Sequence, residues 1–103
     1  MLTIKLTAPD TYTAKEGGKE LGSCRFAIEG DTLTITRAET LEGDGFLLDG
    51  LLRAALFYGY ERGCAYGVIG EAVEEGFQRQ LQALGLQAGV KLRQEDLPRH
   101  CGC

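Results

Sequence analysis

The feature that most constrains this chain is a long amphipathic segment at residues 46–62, set between two strand-like segments. Its apolar residues recur at three- and four-residue spacing, which favours a helix with one buried stripe; they are Leu48, Leu51, Leu52, Ala55 and Tyr58. Asp44 suits the N-cap of this helix, and Gly63 suits its end. Residues 64–69 are short and apolar. We therefore predict a strand, helix, strand unit with parallel strands and a right-handed crossover.

The residues before this unit indicate antiparallel strands. Residues 2–7 alternate between apolar and polar side chains, the period of a strand with one buried face. Residues 8–20 lack periodicity and carry Pro, Asp and paired Gly, so we expect a loop there. Residues 21–28 and 33–37 are β-prone and are separated by a turn containing Gly30 and Asp31, which predicts a hairpin.

The residues after the unit predict a second helix and a short strand. Residues 72–84 have apolar side chains on one side, and Gly85 is expected to end the helix. Val90 and Leu92 suggest a last strand whose exposed edge, at residues 89–93, would favour a homodimer. We expect residues 94–103 to form a flexible, cysteine-rich tail.

Length and composition indicate a single domain over residues 1–103, with an α+β fold that includes a mixed sheet. The chain is 44% hydrophobic and 25% charged, with a net charge of −4 and no cluster of Lys and Arg. This composition is that of a globular protein and argues against nucleic-acid binding. The lack of a long apolar stretch argues against a membrane span. With no secretion signal, we expect a cytoplasmic protein with reduced thiols.

The order of elements over residues 21–86 resembles the acetyl-CoA-binding core of the GNAT (GCN5-related N-acetyltransferase) superfamily, in the form of a small or truncated and divergent member. Gly43-Asp44-Gly45 with Leu51-Leu52 looks like the family's Gly-x-Gly loop and following Leu-Leu pair, and Leu84-Gly85-Leu86 looks like its closing Leu-Gly-Phe. The resemblance implies a GNAT-like (acyl-CoA N-acyltransferase) fold. It also implies acetyl transfer from acetyl-CoA to a primary amine on a small molecule or peptide.

The resemblance also implies a cofactor site in the loop and the first helical turn. Glycines let the backbone approach a pyrophosphate, whose charge the amides of a helix N-terminus can bind. The implied acetyl-CoA site consists of Leu41, Glu42, Gly43, Asp44, Gly45, Phe46 and Leu47. The same glycines could instead form only a turn between strand and helix.

Glu39 is the candidate catalytic base, because it lies near the strand end where an acceptor amine would arrive. A solvated carboxylate is the alternative interpretation of this residue. Acidic residues crowd the pyrophosphate position, and Leu81 stands where the family often has a tyrosine acid. These two departures favour an alternative function, a non-catalytic GNAT-like binding or interaction module that has lost CoA chemistry and that could carry a metal-binding C-terminal tail.

The C-terminal residues suggest a possible metal site. His100, Cys101 and Cys103 are soft ligands suited to zinc, although a tetrahedral site needs a fourth ligand from Glu95, Asp96 or a second chain. A frayed terminus is the alternative. Cys24 and Cys64 are predicted to be core packing residues, since free cysteine behaves as a small hydrophobe.

Overall fold

The protein is described by a computed structural model covering residues 2–41 and 44–97. A five-stranded sheet runs in the order β1-β2-β3-β4-β5. The elements, in chain order, are β1 Leu2–Ala8, β2 Thr11–Glu16, β3 Lys19–Glu29, β4 Thr32–Thr40, α1 Gly45–Glu61, β5 Tyr66–Ile69, α2 Glu71–Leu84 and a 3-10 turn at Gln94–Asp96. Strands β1 to β4 are antiparallel, and β5 is parallel to β4.

The prediction of a loop at residues 8–20 is wrong. Most of this segment is β2 and the start of β3, and β2 pairs with strands on both sides. Thr and Tyr in β2 are good strand formers, and two neighbouring strands supply partners for its backbone. Gly17 and Gly18 form the turn into β3 with φ of 59° and 85°, the pair of positive angles that a two-residue hairpin turn of type I′ requires.

The last predicted strand, at Val90 and Leu92, is also wrong. Leu92 makes only an isolated bridge to Gly67, with two backbone hydrogen bonds of 2.8 Å. The sheet therefore has no sixth strand among the described residues, and the predicted edge at 89–93 is not a strand edge. Gly89 has a φ of 77°, outside the extended range of a strand, so the first residue of the predicted 89–93 edge lies in a turn.

The helices cover one side of the sheet with a common apolar core. Leu33, Ile35 and Ile69 supply the sheet side of this core, and each is fully buried. From α1 come Leu48, Leu51, Leu52, Ala55 and Leu56, and from α2 Val73, Phe77 and Leu81. The predicted residues Leu48, Leu51, Leu52 and Ala55 are therefore confirmed as buried. Tyr58 is only partly buried against this core, and Leu56, which the prediction left out, belongs to it. Among the described residues, no helix is both long and apolar enough to cross a membrane.

A bulge in β4 limits its pairing with β5. Arg25 of β3 pairs with Arg37, but the next residue, Phe26, pairs with Ile35, which leaves Thr36 as an extra residue on β4. Strand β5 pairs with β4 only as far as Ile35. Beyond that point β4 continues to Thr40, whereas the chain after β5 enters α2.

Candidate functional site

A fork opens where β4 and β5 separate. The backbone N–H of Gly70 donates to the Ile35 carbonyl at 2.8 Å, which closes the parallel pairing. A Cβ on Gly70 would lie 2.6 Å from that same carbonyl oxygen, so only glycine fits this approach. Helix α2 begins at the next residue. The fork is therefore bounded by residues 36–40 of β4 on one side and by the first turn of α2 on the other.

The cross-strand register assigns the β4 side chains at the fork to two faces. Ala38 packs against the core, and Thr40 pairs with the buried Gly22, so both lie on the inner face of the sheet. The Thr40 hydroxyl oxygen is buried and has no hydrogen-bond partner within the described part of the chain. A buried hydroxyl in this state costs free energy, which a polar guest in the fork would recover.

Glu39 lies on the opposite, outer face of the sheet. It is paired with Ser23 across the strands, and its carboxylate oxygen is 3.7 Å from a guanidinium nitrogen of Arg37. The side chains are well exposed, at 69% for Arg37 and 73% for Glu39. In this structure Glu39 is therefore a solvated carboxylate, next to the fork and open to an incoming molecule.

Gly22 sets the distance between β3 and the C-terminal end of β4. A Cβ at residue 22 would lie 2.6 Å from the Glu39 carbonyl oxygen and 3.2 Å from the Thr40 Cα. Both are backbone atoms and cannot rotate away. The position of Glu39 and Thr40 relative to β3 therefore depends on glycine at residue 22.

The start of α1 is capped by a side chain from the loop. The Asp44 carboxylate accepts hydrogen bonds from the backbone N–H groups of Phe46 at 2.8 Å and Leu47 at 3.3 Å. The prediction that Asp44 is the N-cap is confirmed. The same bonds occupy two of the amides that the resemblance assigns to a pyrophosphate. The Asp44 carboxylate is itself an anion at the helix N-terminus, so it occupies the position that the resemblance assigns to the pyrophosphate.

The described residues of the implied cofactor site other than Asp44 lie on either side of this cap in the chain. Leu41 is 47% exposed and Phe46 76% exposed, whereas Leu47 is buried. Gly45 approaches α2, since a Cβ there would lie 3.4 Å from the Gln80 Cγ. Glu42 and Gly43 lie outside the described residues, as do His100, Cys101 and Cys103 of the predicted metal site.

Asp49 and Arg53 do not line the loop as free charges. The Arg53 Nε donates to the Asp49 carboxylate at 2.9 Å, and Asp49 is only 4% exposed. The pair lies on α1 against the β1 side of the sheet, beside Ile4. It is a structural ion pair of the helix, so its carboxylate does not add to the negative charge of the loop.

The two cysteines within the described residues are packing groups. Cys24 is 2% and Cys64 7% exposed, which confirms the core prediction. Burial raises the pKa of the Cys24 thiol from 9.0 to about 12, and the thiol donates to the Leu51 carbonyl at 3.4 Å. The Tyr60 hydroxyl donates to the Leu92 carbonyl, and burial raises its pKa. Tyr66 begins β5, at the end of the strand away from the fork.

A cleft lies on the outer face beside Glu39, and no sequence motif indicates it. Its volume is about 110 Å³, and it is lined by Thr11, Ser23, Arg25, Arg37, Ala38 and Glu39. The predicted hairpin turn at Gly30-Asp31 sets the register to within one residue. Counting residues from this turn identifies Arg25 and Arg37 as cross-strand neighbours only if the bulge in β4 is included.

Two solved structures share this fold. The NMR structure of a candidate N-acetyltransferase, YhhK from E. coli, bound to coenzyme A, matches with a TM-score of 0.54 and 18% sequence identity; the match covers 85% of this chain and 75% of that one. The crystal structure of a variant of TTHA1254 from Thermus thermophilus matches with a TM-score of 0.57 and 23% identity, over 94% of this chain and 75% of that one. The sequence matches no protein-family model and no curated protein.

These likenesses confirm the predicted fold class. The protein has an α+β, GNAT-like fold with a mixed five-stranded sheet and two helices. At these identities they show the fold alone. Over residues 2–41 and 44–97, no group of three or more His, Cys, Asp or Glu side chains could hold a metal ion.

Proposed function

We propose that this protein transfers an acetyl group from acetyl-CoA to a primary amine. The observation that carries the proposal is the fork, where β4 extends beyond its pairing with β5 shortly before α1 begins at Gly45. The fork exposes strand backbone on one side and a helix start on the other. In the GNAT-like fold of YhhK a coenzyme A is bound, which supports the same class of ligand here.

The backbone at the fork and at the start of α1 suits acetyl-CoA in shape, but the charges there suit it only in part. The buried Thr40 hydroxyl gives the fork an unsatisfied polar group where a thioester and its pantetheine arm would lie. The proposed cofactor residues are Leu41, Glu42, Gly43, Asp44, Gly45, Phe46 and Leu47. The Asp44 carboxylate opposes a pyrophosphate, because it is negative and already accepts from two helix amides. We therefore expect binding weaker than an uncapped helix start would give.

The protein's own contribution to the chemistry is proton acceptance and positioning. Acetyl-CoA supplies the acyl carbon: a carbon–nitrogen bond forms to the amine as the carbon–sulfur bond breaks. The leaving thiolate takes up the proton that the attacking nitrogen then loses, so CoA leaves as a thiol. The amine arrives as an ammonium ion and must lose a proton before it can attack. Glu39, exposed on the outer face beside the fork, accepts that proton and passes it to solvent. The fork holds the reacting groups together, which lowers the entropic part of the barrier.

A second function is a GNAT-like binding module that lacks catalysis. Leu81 is 2% exposed and lies in the core, so no hydroxyl acid is supplied from that position. Together with the Asp44 cap, this favours a scaffold that binds a partner or a CoA compound without turnover. The two functions differ in whether CoA thiol is released.

The test is calorimetric titration of acetyl-CoA into the full chain, followed by measurement of thiol release with a panel of amines. Gly45→Glu puts a negative charge at the first residue of α1 and should weaken binding at least tenfold. Gly76→Glu is the matched control, since residue 76 is exposed in α2 with nothing within 4 Å of a Cβ. Absence of acetyl-CoA binding to folded wild-type protein refutes the proposal. Binding without thiol release favours the second function.

The role of Glu39 needs its own variant. Glu39→Gln keeps the size of the side chain but cannot accept the proton. We expect kcat to fall about 10²-fold or more at neutral pH, with acetyl-CoA affinity unchanged, and part of the loss to be recovered at high pH, where the amine is already deprotonated. An unchanged kcat would show that Glu39 is only a solvated carboxylate.

A further inference from the structure

The outer-face cleft beside Glu39 brings two arginines together. Arg25 and Arg37 are direct cross-strand partners in the β3–β4 pairing, and both line the cleft. Like charges directly opposite each other destabilise a sheet pair. A pair of guanidinium groups at such positions is therefore a poor choice for stability alone, and an anion between them would remove the repulsion.

The carboxylates already present do not engage these arginines closely. The Arg25 Nε is 3.9 Å from the Asp10 carboxylate, and Arg37 is 3.7 Å from Glu39. Both distances are longer than a charge-assisted hydrogen bond. All four side chains are at least half exposed, so these ion pairs contribute little and are readily exchanged. The guanidinium groups can therefore turn toward a bound anion without losing a strong interaction.

The cleft has the size and the charge pattern of a small zwitterion. A volume of about 110 Å³ corresponds to about three to four water molecules at their liquid volume. Thr11 and Ser23 add hydroxyl groups to the wall, and Glu39 supplies the one carboxylate of the lining. An α-amino acid carries its opposite charges on neighbouring carbon atoms. That spacing matches Arg37 and Glu39, whose charged atoms are 3.7 Å apart.

We propose that this cleft binds a small free α-amino acid, with the carboxylate held by Arg25 and Arg37 and the ammonium group directed to Glu39. The inference deepens the proposed function, because it names the acceptor class, and it rests on that function for the role of Glu39. The binding step itself requires no acetyl-CoA. The cleft and the fork lie on either side of the same β4 segment, residues 37–40.

The test is NMR titration of the labelled full chain without acetyl-CoA, with L-alanine as the probe. We expect the side-chain Nε–H signals of Arg25 and Arg37 to shift with millimolar affinity. Arg25→Gln and Arg37→Gln should each weaken binding at least tenfold. Arg79→Gln, an exposed arginine on α2, removes the same charge elsewhere and should leave binding unchanged. Circular dichroism and thermal unfolding establish that each variant is folded.

Two analogues test the chemistry of recognition. L-Alaninamide lacks the carboxylate, and propionate lacks the amine. Both should bind at least tenfold more weakly than L-alanine. The inference is overturned if L-alaninamide binds as well as L-alanine, or if L-alanine shifts neither arginine signal at millimolar concentrations.

A separate titration with acetyl-CoA distinguishes the amino-acid cleft from the proposed function. Binding of L-alanine without binding of acetyl-CoA would refute the proposed function and support the amino-acid cleft. Acetylation of amines that lack a carboxylate, with kcat/KM equal to that of L-alanine, would support the function and overturn the inference about the acceptor. A raised KM for L-alanine with retained kcat in Arg25→Gln would support a binding role for that residue.

Discussion

Replacing Asp44 with Asn should strengthen the binding of acetyl-CoA. The Asp44 carboxylate accepts from the Phe46 and Leu47 amides and so places a negative charge at the start of α1. Asparagine is about as good an N-cap as aspartate, so the variant keeps a side-chain acceptor for those amides. It loses the attraction between a carboxylate and the helix dipole, about 0.3–1 kcal/mol of stability. The variant should therefore stay folded.

The magnitude follows from the exposure of Asp44. Two unit charges at 4 Å repel by about 1 kcal/mol in bulk water and by about 4 kcal/mol at an effective dielectric constant of 20. Asp44 is exposed, so the lower value applies. Removing about 1 kcal/mol of repulsion from the nearest phosphate should lower Kd about fivefold. At an ionic strength of 1 M the screening length is about 3 Å, and most of the gain should vanish.

The assay is calorimetric titration of acetyl-CoA at low and high salt. Asp31→Asn is the matched control, because it makes the same change at an exposed residue in the turn that precedes β4, at the far end of the strand from the loop. The control should leave Kd unchanged at both salt concentrations. Equal or weaker affinity in folded Asp44→Asn would show that no phosphate binds near the α1 start, and the reasoning from the cap would fail.

Three further predictions concern stability and the site's framework. Burial raises the pKa of the Cys24 thiol from 9.0 to about 12, so the folded state favours the neutral thiol. The stability that this preference contributes is complete below pH 9 and is lost as the pH rises from 9 toward 12. Urea unfolding at pH 7 and pH 10 should show this loss, and Cys24→Ala should show less of it. Arg53→Met leaves the buried Asp49 carboxylate without the Arg53 guanidinium and should lower the free energy of unfolding by about 3 kcal/mol. Adding Asp49→Leu should restore most of that lost free energy. A double variant less stable than Arg53→Met alone would contradict this expectation. Gly22→Ala forces a Cβ against the Glu39 carbonyl and should cost about 1–3 kcal/mol and reduce acetyl transfer, whereas Gly76→Ala should do neither.

The sequence predicts the parts of the fold that depend on local pattern. The α1 stripe, the Asp44 cap and the β3–β4 hairpin turn each follow from residue spacing or from turn chemistry. The β2 strand does not, because its Thr-rich sequence becomes a strand only through pairing with neighbours on both sides. Val90 and Leu92 do not form the predicted strand, because strand formation needs neighbouring backbone to pair with. Only Leu92 makes a bridge, to Gly67, and Gly89 forms a turn.

The candidate site is predictable only in outline. Glu39 and the residues at the start of α1 are candidates from the order of elements and from the resemblance, and their roles stay predictions. The occupation of the helix amides by Asp44, the orphaned Thr40 hydroxyl and the arginine pair all depend on tertiary register. The register of two strands depends on contacts between residues far apart in the sequence, and a single extra residue in one strand changes it.

Because Thr36 is an extra residue in the strand, the number of residues in β4 decides which face the following side chains occupy. Thr36 and Arg37 both lie outward, so the bulge takes up one residue and the alternation resumes beyond it. In strict alternation from Ile35, the same sequence would turn Arg37 and Glu39 inward and Ala38 outward. Homologous sequences should therefore accept substitutions along this strand far more readily than insertions. Variants that lengthen β4 by one residue should lose the proposed amino-acid cleft before they lose the fold.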